Sequence, residues 1–445
     1  MKEITLKIEK MAFGGGGLGY ADGKVCFVPY TAPGDSVRVK IKREKRSYME
    51  GEIEELLLPS PLRETPPCPV FGVCGGCDFQ QLSPVAQMEE KQKIFLDIMW
   101  RSGRVESTRI LPILPASEPY GYRARVQLKV RFIHGELHLG FYRSGTHFVV
   151  GIPGNCAIAH SSINHLLPEL SRMLHHFPEP DKLPQIDVAV GEDGTTVVIF
   201  HYIGENHADS VDFMQKNRAL VASASGIYIQ SGRKTTLHKV VGTDTLSYSV
   251  PSGFLPGIPE RSLTFTPGAF SQVNYRQNLS LIATVYDWSG LTGKERLLDV
   301  CCGNGNFSIP LAERCGKVLG IEEYAPSIRD AQHNCQLNRL DNIEFRCLDA
   351  VAGLKELIAN GDTFDVVVLD PPRTGAAEIV KLIPSLKPTK IVYISCDPPT
   401  LARDIGMLGK LNYEVVKSQP IDMFPQTHHI ESVTLLVPSN NGIYS

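Results

Sequence analysis

The sequence predicts an α/β protein whose C-terminal part is a doubly wound, Rossmann-like domain, preceded by a small β-barrel and a mostly β central region. Three observations predict this. From about residue 270, apolar β-branched runs alternate with helical segments at the spacing of a parallel sheet. Residues 1–58 carry short alternating runs cut by Gly/Pro turns, the pattern of an oligonucleotide-binding type of barrel. From about 120 to 265 the texture is mostly strand-like, with one helix near 161–175. The expected divisions are 1–58, 59–265 and 266–445. A chain of 445 residues is long enough for two or three domains, and 42% hydrophobic with 21% charged residues is ordinary for a globular protein. A net charge of −3 excludes a generally basic nucleic-acid binder, so any such contact must use local patches. The first ten residues lack the apolar core of a signal peptide, and no run reaches membrane-span length; a cytoplasmic protein is expected.

The barrel strands are read at 4–8, 24–28, 36–41 and 51–58, with turns at 14–19 and 32–35. Six basic residues and one acid lie between Arg38 and Arg46, which is either a solvated strand face or a phosphate-tracking surface. A Pro-rich linker spans 59–69. A helix follows over 84–102, with Ser83 as N-cap and Pro84 in its first turn, and it is free to pack on the last domain. Tyr122, Arg123, Arg125, Lys129, Arg131 and Arg143 mix basic and aromatic side chains and form a second candidate nucleic-acid surface. The strands of the doubly wound domain are read at 297–301, 317–322, 342–347, 364–370 and 390–396.

The run Ile391-Val392-Tyr393-Ile394-Ser395-Cys396-Asp397-Pro398 reads as a buried strand ending in a turn. Ligands bind beyond the carboxyl ends of strands in open α/β sheets, so Cys396 is delivered to a candidate active-site rim. A lone strand-end cysteine is more often packing than chemistry, and further segments change that balance. Leu298-Asp299-Val300-Cys301-Cys302-Gly303-Asn304-Gly305-Asn306-Phe307 is a strand, a Gly-x-Gly turn and a helix start, where glycines let the backbone close on a ligand. The third glycine of the dinucleotide fingerprint is missing, which disfavours a nicotinamide cofactor. Glu322, at the end of the next strand, suits a ribose hydroxyl pair, and Asp349 follows the third strand. Together they point to S-adenosylmethionine. Glu431 sits at the mouth of a strand, between Thr-His-His-Ile and Ser-Val-Thr-Leu-Leu, rather than on an open surface.

Of 11 cysteines, Cys68, Cys74 and Cys77 cluster in a Cys-x5-Cys-Gly-Gly-Cys run, and Cys156 follows. Four thiolates can hold zinc or a 4Fe-4S cluster. Structural zinc usually uses two short pairs, so the 3+1 spacing favours iron–sulfur, with zinc second. A disulfide knot is disfavoured in a reducing compartment.

These motifs together resemble the RNA uracil-5-methyltransferase family. The matching runs are Phe270-Ser271-Gln272-Val273-Asn274, the Gly-x-Gly-Asn turn, Asp370-Pro371-Pro372-Arg373-Thr374-Gly375, the Ser395–Asp404 stretch and the Asp422–Glu431 stretch, in the family's order. Within the family the likeness is to the ribosomal-RNA type with a TRAM barrel and an iron–sulfur cluster. The resemblance implies cofactor contacts at Gln272, Cys301, Asn306, Glu322, Asp349 and Asp370, with Cys301 replacing the family's usual aromatic residue. It implies Cys396 as nucleophile, Glu431 as general base, and Cys68, Cys74, Cys77 and Cys156 as ligands of a 4Fe-4S cluster. The implied substrate is 23S ribosomal RNA, with the transfer-RNA T-loop as the alternative, and the expected state is a monomer. The chemistry agrees. Uracil C5 is a poor nucleophile until a thiolate adds at C6, and the C5 proton must then leave to a base. A catalytically silent RNA-binding protein is the reading from another class, and the pairing of Cys396 with Glu431 speaks against it. A radical iron–sulfur enzyme would usually show Cys-x3-Cys-x2-Cys, whereas here the spacing is x5 then x2.

Overall fold

The computed structural model describes residues 2–133, 135–232 and 236–439. The N-terminal sheet contains the strands Glu3–Lys7, Lys10–Met11, Gly16–Ala21, Lys24–Pro29, Ser36–Glu44 and Tyr48–Leu58. Alternation sends Leu6, Val28, Val37, Val39 and Met49 into a small core. The same alternation turns the basic run outward, directly against an acidic strand. Arg38 pairs with Glu55 at 3.0 Å, Lys42 with Glu52 at 2.7 Å and Arg43 with Glu50 at 3.7 Å. This face is therefore largely charge-balanced, which the local sequence around 38–46 did not show.

The central sheet joins Arg125–Ile133, Glu136–Tyr142, Val149–Gly151, Gln185–Val190, Thr196–Tyr202, Gly226–Ser231 and Leu237–Gly242. The expected helix spans Ser161–His176, and a second one spans His207–Lys216. Apart from Ala208, the second opens with weak helix formers, His207, Asp209, Ser210, Val211 and Asp212, so its local signal is faint. Tyr122 is not available to a nucleic acid: it is buried, and its hydroxyl donates to Pro425 O at 2.9 Å.

The C-terminal sheet runs, in spatial order, Ile343–Cys347, Lys317–Glu322, Arg296–Val300, Val366–Leu369, Lys390–Ser395, Glu431–Pro438 and Tyr413–Ile421. The first five are parallel, and Glu431–Pro438 runs antiparallel to both of its neighbours. Strand order reverses between Arg296–Val300 and Val366–Leu369, the switch point at which such sheets bind ligands. The Tyr413–Ile421 strand contains Pro420, a residue tolerated on sheet edges, and it occupies the edge. The two-stranded ladder Leu246–Val250 with Arg261–Phe265 buries Val250 and Leu263 in the same core as Leu281 and Leu297.

The helix Pro84–Gly103 starts as its sequence dictates: Ser83 Oγ accepts from Ala86 N at 3.2 Å, with Pro84 in the first turn. Its Phe95 and Met99 share a core with Leu401 and Ala402 of the Pro398–Gly409 helix. It also carries the fully buried Lys91, whose Nζ lies 2.6 Å from Asp422 Oδ1 and 3.0 Å from Phe424 O. Removing one partner of a buried pair leaves the other charge uncompensated. Lys91→Ala is therefore expected to lower unfolding stability by about 3–5 kcal/mol, measured by chemical denaturation. Among the described residues, no helix is long and apolar enough to cross a membrane.

Candidate active site and cysteine-lined cavity

Strand register creates the candidate site. Ser395 pairs with Ser432 in antiparallel register, and Ser432 Oγ donates to Ser395 O at 3.2 Å. One step beyond that pair on each strand stand Cys396 and Glu431. Both line a cavity of about 400 Å³ together with Gln272, Cys301, Asn306 and Asp370. Phe270, Arg373 and Phe424 complete its mouth.

The site is desolvated and rich in carboxyls. Glu431 is only 4% exposed, and burial, with Asp370 second, pushes it well above the carboxylate range. Asp370 is pushed up to about 7 by burial, then by Asp299 and Glu322. Cys396 is pushed up to about 12 by burial, then by Glu431 and Asp370, while Arg373 opposes the shift.

The Gly-x-Gly turn sits at the switch point. Gly305 has φ +88°, and a Cβ there would fall 2.8 Å from Ile309 Cγ1, so the position requires glycine. Cys301 itself has φ 65°, an uncommon conformation for a side-chain-bearing residue. Its thiol is raised by burial, then by Glu322 and Asp370. Beneath the turn, Asp299 Oδ2 accepts from Ser308 N at 3.1 Å and Ser308 Oγ at 2.5 Å.

The remaining sequence candidates stand at neighbouring strand ends. Glu322 accepts from Gly303 N at 3.3 Å and Tyr324 N at 2.9 Å, which ties the second strand end to the turn. Asp349 caps the Ala350–Ala359 helix through Ala352 N at 2.9 Å. Neither is among the described residues lining the cavity that holds Cys396. Asn306 does line it, but its amide is already engaged. Its Oδ1 accepts from Tyr248 OH at 2.9 Å and Asn278 Nδ2 at 2.8 Å, and its Nδ2 donates to Asn278 Oδ1 at 3.0 Å. Sequence reading missed Tyr248 and Asn278. Tyr248 lies on an alternating strand and Asn278 on a helix, and neither local pattern marks a contact with Asn306.

Cys68, Cys74, Cys77 and Cys156 line a second cavity, of about 440 Å³, which shares Phe270, Ser271, Arg373 and Phe424 with the first. All four thiols are free. Arg123 and Arg125, from the basic stretch, line this cavity too. Gly76 N donates to Cys74 Sγ at 3.4 Å. Among the described residues, no three His, Cys, Asp or Glu side chains are placed to share a single metal ion.

Glu431 is reached through the irregular stretch 422–430, which other elements hold in place. Asn274 Nδ2 donates to Met423 O at 3.1 Å, and Gln277 Nε2 to Asp422 O at 3.2 Å. From the Pro84–Gly103 helix, Gln87 exchanges two hydrogen bonds of 2.9 Å with Gln426.

Residues 85–438 match the family model for tRNA (Uracil-5-)-methyltransferase, and residues 1–53 match the TRAM domain. The chain is 33% identical to a 23S rRNA (uracil(1939)-C(5))-methyltransferase RlmD of Alcanivorax borkumensis, covering 96% of this chain and 95% of that one. It is 35% identical to the RlmD of Alkalilimnicola ehrlichii, over 97% and 96% of the two chains. The solved tRNA (uracil-54, C5)-methyltransferase of Pyrococcus abyssi, in complex with S-adenosyl-L-homocysteine, superimposes with a TM-score of 0.73 at 25% identity, covering 98% of this chain and 100% of that one. A Gly-x-Gly turn at the switch point, a cysteine and a glutamate on facing strand ends, and these full-length likenesses converge: the chain belongs to the S-adenosylmethionine-dependent RNA uracil-C5 methyltransferase family and carries an N-terminal TRAM domain.

Proposed function

We propose that this protein methylates C5 of a specific uridine in 23S ribosomal RNA through a covalent adduct on Cys396. The observation that carries the mechanism is the register that sets Cys396 and Glu431 on adjacent antiparallel strand ends in one cavity. S-adenosylmethionine, when bound, supplies an electrophilic methyl group. Cys396 Sγ, in its thiolate form, forms a bond to uracil C6 while the C5–C6 π pair moves to C5, which takes the methyl as the donor leaves as its neutral thioether. Glu431 removes the C5 proton; the C–H electrons restore the C5–C6 double bond and expel Cys396 as thiolate. Asp370, half-buried at the neighbouring strand end, orients the uracil edge or the donor. Gln272, Cys301 and Asn306 line the cofactor side, with Glu322 and Asp349 at the adjoining strand ends. A stacked base cannot reach so enclosed a site, so the target flips out at a cost of about a few kcal/mol.

The ribosomal substrate is supported by the full-length likeness to proteins named as 23S rRNA enzymes. The likeness to a solved transfer-RNA enzyme supports the second reading, a transfer-RNA T-loop. Labelled methyl transfer to a 23S fragment and to unmodified transfer RNA, assayed side by side, tests the choice. Faster methylation of the ribosomal fragment is expected, and exclusive methylation of transfer RNA would overturn the reading.

The four cysteines are read as ligands of a 4Fe-4S cluster. Tetrahedral zinc holds its four sulfurs within about 2.3 Å of one ion, whereas a cuboidal cluster spreads them over several metal atoms. Four thiols around one cavity, with the Gly76 N–H donating to Cys74 Sγ as backbone amides do to cluster sulfurs, support the larger group. Cys156 would join the start of the central domain to the 68–77 loop, giving the cluster a structural role. Protein prepared anaerobically is expected to be brown with about four irons per chain, and Cys156→Ala to lose the iron. One zinc per chain and no iron would refute this assignment.

A further inference from the structure

We propose that Asp78 is a positioning residue for Glu431, acting through His428. This rests on the reading of Glu431 as the group that removes the C5 proton. Asp78 directly follows Cys77 in the cysteine loop, yet its carboxylate is spent on the far end of the chain. Oδ1 accepts from His428 N at 2.8 Å, and Oδ2 is hydrogen-bonded to His428 Nδ1. The backbone of the same segment makes a second tie: Asp78 N and Phe79 N both donate to Gln426 O, each at 3.1 Å. Gln426 reverses the chain with φ 68°, a conformation that a non-glycine residue keeps only where its surroundings hold it.

The barrel closes this tie from outside. A Cβ on Gly15 would fall 2.5 Å from Asp78 Oδ2, so the barrel backbone abuts the carboxylate. Phe13 meets the His428 ring edge-on at a centroid distance of 6.0 Å, and His428 packs on His429 at 4.3 Å. Glu431 follows His428 by three residues and opens the Glu431–Pro438 strand, where it pairs with Ile421 and its neighbour Ser432 pairs with Ser395. The ladder holds Glu431 from one side, and on the other side Asp78, through His428, is the anchor that lies nearest to it in the chain. Cys396 lies on a different strand and does not depend on that anchor.

The two halves of the reaction should therefore respond differently. A misplacement of about 1 Å costs roughly 10²-fold in a step that needs that geometry. Asp78→Ala is expected to form the RNA adduct at the wild-type rate but to release product roughly 10- to 100-fold more slowly. A denaturation-resistant protein–RNA species should then build up during turnover, with kcat reduced and KM for RNA little changed. Asp78→Asn should restore release, since its Oδ1 still accepts from His428 N and its amide can donate to the Nδ1 of the other histidine tautomer. Iron content should match wild type. If Asp78→Ala does not fold, His428→Ala, which removes only the ring partner, is expected to give the same accumulation. The proposal is overturned if neither alanine variant accumulates adduct, if adduct formation and release fall together, if Asp78→Asn behaves like Asp78→Ala, or if iron is lost in step with activity. Glu431→Gln run in parallel separates the two ideas. Accumulation there without accumulation in the alanine variants sinks only the role of Asp78; absence of accumulation in Glu431→Gln sinks the base assignment itself.

Discussion

Cys396→Ala is expected to lose methyl transfer by at least about 10⁴-fold while still binding RNA and S-adenosylmethionine, because removing a covalent nucleophile abolishes the route rather than weakening one contact. RNA carrying 5-fluorouracil at the target should trap the wild-type protein, since fluorine cannot leave as a cation, and should leave the variant untrapped. Cys301 shares the cavity but sits on the Gly-x-Gly turn, at the end of another strand, and is not a ready substitute. Binding measured separately from turnover checks the expectation, and a fully active Cys396→Ala protein would remove the nucleophile assignment.

Glu431→Gln is expected to fail later. An amide cannot accept the C5 proton, so the variant should add, methylate and then stall, accumulating a protein–RNA species on denaturing gels. The loss in turnover should be about 10²- to 10⁴-fold. The pH dependence has a definite sign. Burial and Asp370 raise Glu431, so in the free protein its protonated form is favoured at low pH, and only the ionised form accepts a proton. Wild-type release should therefore accelerate as pH rises through that raised value, and the variant should lack this limb. His429, which burial lowers to about 3 and so keeps neutral, lines the adjoining cavity and is the next candidate base, with His428, if Glu431→Gln turns over normally.

What the sequence disclosed was local. Apolar runs ending in Gly-x-Gly or Cys-Asp-Pro carry their own strand and turn signals, so the glycine turn and the strand-end position of Cys396 could be read directly. The 3+1 cysteine spacing pointed to four thiols in one place, and the structure gathers them around one cavity. What stayed hidden was pairing between distant segments. The basic run at 38–46 could be read either as a solvated face or as a phosphate track, because the opposing acids, Glu50, Glu52 and Glu55, lie on another strand. The edge strand Tyr413–Ile421 was obscured by its polar residues and Pro420. Asn306 matched a motif position, but only the fold shows its amide committed to Tyr248 and Asn278.

The ties across the 422–430 stretch also dictate an order of assembly. Lys91 and Asp422 are 331 residues apart, and Asp78 and His428 are 350 apart. A ribosome adding about 5–20 residues per second therefore finishes the first member of each pair well before the second exists. Through that interval the helix bearing Lys91 has no charge partner and no completed surface to dock on. Contacts of such long sequence separation form slowly. The nascent chain thus cannot methylate anything, however well its barrel folds, until almost the last strand has been made.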